Sequence, residues 1–121
     1  RVLREVRKIT DRRGVDIVFE HVGAATWETS IHALKWGGTI VTCGATTGFK
    51  AITDIRFLWN KQQNYIGSHS GTKAELEEAM HYDERGLIKP VVKDVFPLSE
   101  TASGHQILES GEVMGKVVLV P

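Results

Sequence analysis

Cysteine is almost missing from this chain: Cys43 stands alone among 121 residues. A single thiol excludes an internal disulfide framework and a cysteine-rich zinc site. It fits a reducing cytoplasm, where thiols stay free. An excess of charge of one sign is lacking too. Fifteen Lys and Arg balance fifteen Asp and Glu, so no net field draws the chain to nucleic acid or an anionic membrane. The basic pair Arg12-Arg13 reads as a solvated turn. No apolar run approaches the roughly 20 residues that span a bilayer, and no signal peptide opens the chain. The first residue is Arg1, not Met, and a helical pattern begins at once, so the expectation is a piece cut from something larger. Low-complexity segments, repeats and long linkers are absent as well.

What remains is ordinary globular material. Hydrophobic residues make up 41% and charged ones 25%, a balance that supports a core. The length suits one domain at most, and a chain of this size buries roughly two-thirds of its unfolded surface. Val2, Leu3, Val6 and Ile9 recur at helical spacing, with Gly14 as the stop. Val15 to Phe19 is a short apolar run bounded by turns, expected to be a parallel strand buried on both faces. Trp27, Ile31 and Leu34 predict a second helix that Gly37-Gly38 ends, and Thr39 to Cys43 a β-branched strand.

Asp54 is placed to cap a short helix with Ile55, Leu58 and Trp59 on its apolar side. Asn64 to Ile66 reads as a third strand. Thr72 and Glu75 have capping-box spacing ahead of Leu76, Ala79 and Met80, and Gly86 closes that helix. Alternating helices and strands predict right-handed crossovers and a parallel sheet. After Pro90 the pattern changes: a strand Val91 to Phe96, a helix through Ile107 and Leu108, and a last strand Lys116 to Val120. Pro90 is expected to mark the exit from the parallel sheet to a neighbouring layer.

Open parallel sheets take ligands beyond the carboxyl ends of their strands. Those exits are Glu20-His21-Val22-Gly23, Cys43-Gly44-Ala45-Thr46-Thr47-Gly48 and Gly67-Ser68-His69-Ser70-Gly71. All three carry glycine, which lets a backbone approach a ligand or simply turns the chain, and two of them place small hydroxyl residues between glycines. Glu20 and His21 suit either contact with a ligand or loop solvation. Cys43, at the end of an apolar strand, is expected to be a small buried hydrophobe rather than a reactive thiol. Trp27, Trp36 and Trp59 lie on helices or helix ends and are read as packing residues.

Most mechanistic signatures are absent. No Gly-x-Gly-x-x-Gly pyrophosphate turn occurs. Gly67 to Gly71 has the outline of a nucleophile elbow with His69 where serine is required. The five histidines, His21, His32, His69, His81 and His105, include no pair at metal-binding helical spacing. No residue is offered as a catalytic acid or base, or as a metal ligand.

Gly14 to Gly23 resembles the fourth-strand segment of the medium-chain dehydrogenases/reductases, and Gly37 to Gly44 their fifth strand. Ile66-Gly67-Ser68 resembles the sixth, Gly86 to Pro90 the step back toward the catalytic domain, and Gly115 to Leu119 the closing strand. The series keeps the family's order from end to end. It is most similar to the zinc-type alcohol dehydrogenases and quinone-oxidoreductase-like members.

The resemblance implies an α/β fold: the 4-5-6 half of a Rossmann-type doubly wound parallel sheet, with a tail returning toward a catalytic domain missing from the chain. Residues 1–89 would form the second half of the dinucleotide-binding domain, and residues 90–121 a segment packing at the catalytic-domain side. Val22 and Gly23 would lie beside the cofactor ribose. Cys43, Gly44 and Ala45 would line the nicotinamide, and Ser68, His69 and Ser70 would flank the same ring.

The implied activity is hydride transfer between NAD or NADP and an alcohol or carbonyl, or an enone or quinone, with only the nicotinamide half of the cofactor site in this chain. Zinc would belong to the parent enzyme, with no ligands here. The implied partners are a small-molecule substrate and a second copy, joined through Asn64 to Ser68. Two other readings stay open. One is an incomplete fragment that has no activity of its own and associates through an exposed strand edge. The other is an α/β module holding phosphate or another nucleotide at Gly67 to Thr72.

Overall fold

Helices and strands alternate from the first residues onward, as the apolar spacing predicts. The computed structural model describes residues 1–121, and they fall into two units, Arg1–Ser70 and Gly71–Pro121. The first unit contains α1 (Val2–Ile9), β1 (Val15–Glu20), α2 (Trp27–Ala33), β2 (Leu34–Thr42), α3 (Arg56–Asn60) and β3 (Asn64–Gly67). Its three strands are parallel and adjacent in the order β1-β2-β3.

Register decides which side chains meet. Val18, Ile40 and Tyr65 stand side by side on one face, and Phe19, Val41 and Ile66 on the other. The first face carries the core. Ile31, Leu34 and fully buried Ile40 form its centre, with Trp27 of α2 and Phe57 of α3 packed against them. Burying one such aliphatic side chain stabilises the fold by about 1.5–3 kcal/mol.

The second face differs from expectation. Ile17 is 65% exposed, Phe19 67% and Ile66 52%, so β1 is covered on one face and not on both. Successive strand residues point to opposite sides, and α2 and α3 add their apolar residues to the side of Ile40.

The helix boundaries differ locally as well. The pattern Trp27, Ile31, Leu34 predicts a helix up to Gly37, but α2 stops at Ala33 and Leu34 turns extended (φ −69°, ψ 143°) to pair with Val15. The pairing then skips from Leu34 to Thr39, leaving residues 35–38 as a bulge with Trp36 64% exposed. In α3 the core contact comes from Phe57, while Ile55, Leu58 and Trp59 face solvent. Trp36 and Trp59 are therefore not packing residues. Trp27 is, with its ring set edge-on to Tyr65 at 5.6 Å between centroids.

The second unit contains α4 (Lys73–Glu84), β4 (Val92–Pro97), a single 3₁₀ turn Leu98–Glu100, α5 (Thr101–Glu109) and β5 (Lys116–Val120). The capping box forms as the spacing predicts. Thr72 Oγ1 accepts the Glu75 N–H at 3.3 Å, and the Glu75 carboxylate accepts the Thr72 N–H at 2.6 Å. β4 and β5 pair in parallel as a sheet of their own. Gly104 is the buried residue of α5, facing Val117 and Leu119 of β5, where a Cβ would begin at the ordinary contact distance of 3.4–3.5 Å.

Candidate functional site

The site grows out of the end of β1. Glu20 is 3% exposed, and a bare carboxylate cannot stay ionised there without donors. Four groups supply them. The N–H groups of Val22 and Gly23 donate to Oε1 at 2.8 and 3.0 Å. The Thr26 hydroxyl reaches both carboxylate oxygens at 2.9–3.0 Å, and the Ser30 hydroxyl donates to Oε2. Burial works against ionisation, but the bonds from Ser30, Gly23, Thr26 and Val22 outweigh it and hold the carboxyl below the ordinary 4.5. One side chain thus ties the strand end, the turn and the start of α2 together.

The turn is fastened on its other side to the loop after β2. The Val22 carbonyl accepts the Thr47 N–H at 2.8 Å and the Thr47 hydroxyl at 2.7 Å. Thr47 Oγ1 accepts the Ala25 N–H at 3.0 Å, and Gly48 O accepts the Ala24 N–H at 3.1 Å. Gly23 sits at φ +89°, and a Cβ added there would lie 2.7 Å from Gly48 O. Only glycine meets both the left-handed backbone and the close approach.

Between these loops lies a cleft of about 240 Å³, walled by Gly23, Gly44, Ala45 and Gly48, with Trp27, Phe49 and Thr53 on its far side. The volume suits one ring-sized group rather than a whole dinucleotide, since sites for drug-sized ligands run to about 300–1,000 Å³. A Cβ at Gly44 would lie 3.2 Å from His21 O, so the loop after β2 passes close to the turn after β1 at this point. Small walls of this kind leave room for a flat, ring-sized group. The pyrophosphate-binding glycine turn has no counterpart in the chain.

Of the residues singled out by sequence, Gly23, Gly44 and Ala45 line the cleft. Val22 backs it through its carbonyl and N–H. Cys43 is exposed, not the buried hydrophobe expected, because the chain leaves the sheet at Thr42 and the thiol lies beyond the last pair, Glu20 with Thr42. Ser68 is anchored by its N–H to Thr42 O at 2.8 Å. His69 and Ser70 are exposed and bond to each other at 3.0 Å, outside the cleft wall.

Glu20 faces its own turn rather than a ligand, a role the loop composition did not suggest. The signal was present in the spacing: Thr26 and Ser30 are four apart, so both hydroxyls share one face of α2 and look back at the strand end. Thr47, Trp27 and Thr53 were also missed, since their partners are distant in sequence.

A larger cleft, about 660 Å³, opens between α2 and α3. There Asp54 pairs with Arg56 at 2.6 Å, and the Lys61 ammonium lies 4.6 Å from the Phe57 ring centroid. The smaller cleft at the strand exits is the better candidate on position. No group of three His, Cys, Asp or Glu side chains comes together to hold a metal ion. No helix is long and apolar enough to cross a membrane.

Comparison with known proteins agrees on one family. A family model described as zinc-binding dehydrogenase matches residues 2–119. A crotonyl-CoA reductase of Streptomyces collinus is 35% identical over 122 residues, covering 98% of this chain and 27% of the relative. A solved NAD-dependent alcohol dehydrogenase superposes with TM-score 0.84 at 37% identity, covering 98% of this chain and 35% of that one. A crotonyl-CoA carboxylase/reductase in complex with NADP gives TM-score 0.84 at 31% identity, covering 98% and 30%. The chain thus spans about a quarter to a third of the length of the proteins it matches.

Proposed function

Since the chain belongs to the zinc-binding dehydrogenases of the medium-chain dehydrogenase/reductase superfamily and covers their C-terminal portion, we propose that it forms the nicotinamide half-site of an NAD(P)-dependent oxidoreductase. The observation that carries this reading is the cleft at the carboxyl ends of β1 and β2, walled by Gly23, Gly44 and Ala45. When bound, the cofactor would supply the hydride, passing it to or from an alcohol or carbonyl, or an enone or quinone. The residues of this chain bind and orient. Gly23 and Gly44 admit the ring edge, the backbone from Cys43 to Ala45 holds its carboxamide, and Val22 stands beside the ribose. Ser68, His69 and Ser70, which lie outside the cleft wall, would meet the ring only from its open side. No residue here is assigned the acid, the base or a metal ligand.

Residues 90–121 are assigned to the catalytic-domain side, a placement supported by the separate pairing of β4 with β5. A homodimer joined through Asn64 to Ser68 belongs to the same proposal. Its support is the edge position of β3, which leaves one row of backbone groups open to pairing. A cytoplasmic location is part of the same proposal, with which a single free thiol is compatible.

Titration of the full-length protein with NADH and NADPH, followed by fluorescence, tests the reading. Binding of either cofactor, weakened about tenfold or more by Gly44→Val, is the expected outcome. Unchanged affinity in that variant would remove the cleft from the cofactor site.

A further inference from the structure

We propose that Glu20 is the positioning residue of this cleft, fixing the turn that carries Gly23 without itself touching the cofactor; the inference rests on the nicotinamide reading above. Its carboxylate is buried, yet none of the chain's ion pairs includes it. A buried charge without a counter-charge is costly to keep. Here it is held by neutral donors alone, and no buried polar side-chain atom in the chain lacks a partner.

The identity of those donors tells what the charge is for. Two are the N–H groups of Val22 and Gly23, the residues behind and within the cleft wall. The others are the hydroxyls of Thr26 and Ser30 at the start of α2. The same turn is gripped from outside by Thr47, through the Val22 carbonyl and the Ala25 N–H. Glu20 and Thr47 therefore hold opposite sides of one turn, one buried and one exposed. Displacing Gly23 by about 1 Å would misalign the ring, and errors of that size cost up to about a hundredfold in well-oriented reactions.

The experiment compares the full-length wild type with Glu20→Gln, Glu20→Ala and Thr47→Val. It measures NADH and NADPH dissociation constants, KM and kcat, and melting temperature on the same samples. Glu20→Gln keeps an oxygen that accepts from Val22 and Gly23, so its affinity stays within about threefold of wild type. Glu20→Ala loses about tenfold or more in cofactor affinity, and kcat falls with it because the ring is misaligned. Thr47→Val loses affinity similarly while its melting temperature falls less than that of Glu20→Ala, because the bonds it gives up are exposed to water.

Wild-type affinity in Glu20→Ala and Thr47→Val overturns the inference and leaves the nicotinamide reading standing. If Glu20→Ala does not fold, Thr47→Val decides alone, and unchanged affinity there is equally fatal. A Glu20→Gln protein that melts normally yet binds as weakly as Glu20→Ala overturns it too. Failure of the wild type to bind either cofactor removes the nicotinamide reading first, and the inference with it.

Discussion

The indole Nε1 of Trp27 donates to the Thr53 hydroxyl at 2.8 Å, fastening the first residue of α2 to the loop on the far side of the cleft. The same ring rests edge-on against Tyr65. Trp27→Phe keeps an aromatic ring in place and removes the donor. The expected loss is about 1 kcal/mol, read as a lower urea midpoint with an unchanged slope. An unchanged midpoint would show that the loop is held without this bond.

Gly23 and Gly37 give a matched pair. Both have positive φ, +89° and +68°, but a Cβ at Gly23 meets Gly48 O at 2.7 Å while one at Gly37 meets nothing within 4 Å. Gly37→Ala should cost only the backbone strain, about 1 kcal/mol. Gly23→Ala should cost several times as much, since strain and clash combine. Equal midpoints in chemical unfolding would mean that the two loops are not in contact.

Acid should destabilise the chain through Glu20. Its folded carboxyl titrates below 4.5, its ordinary value. Lowered in the folded state, it contributes stability that is present above 4.5 and lost as pH falls through the folded value. Unfolding free energies measured from pH 7 downward should therefore decline on the acid side. Glu20→Gln should start lower at pH 7 and show a shallower decline. Parallel curves for the two proteins would assign the acid limb to other groups.

Asp16 offers a test free of burial. The Lys35 ammonium and the Arg13 guanidinium, both bonded to its carboxylate, lower its pKa from 3.8 to about 2. Lys35→Met removes the larger cause, so the Asp16 carboxyl followed by NMR should titrate nearer 3.8. Because the group is exposed, no measurable change in stability should accompany it. An unmoved titration would show that Lys35 does not hold this carboxylate in solution.

How legible the fold was depended on the range of the interaction. Thr72 and Glu75 lie three residues apart, so the capping box could be read directly and it forms. The strand Asn64 to Ile66 declared itself by its apolar run within one residue of the observed bounds, whereas Thr39 to Cys43 marked only the later half of β2, which begins at Leu34. The end of α2 did not. Leu34 continues the helical spacing, yet pairing with Val15 takes it into β2, a contact across nineteen residues that periodicity cannot register. Phe57 beat Leu58 and Trp59 to the core for a similar reason: a five-residue helix has too few turns to define a face, so the neighbouring α2 chose it.

By itself, the sequence determined the order of helices and strands, the parallel pairing and the glycine-bearing exits where a ligand could approach. These follow from local spacing, residue shape and the handedness of crossovers. Tertiary structure alone decided that Glu20 turns inward with its donors, that Cys43 is exposed, and that Ile17 and Phe19 face outward. It also decided that Thr47 grips the turn at Val22 from twenty-five residues away. Whether a polar group is a ligand contact or a structural clasp depends on which donors arrive beside it, and those donors arrive only when the chain has closed.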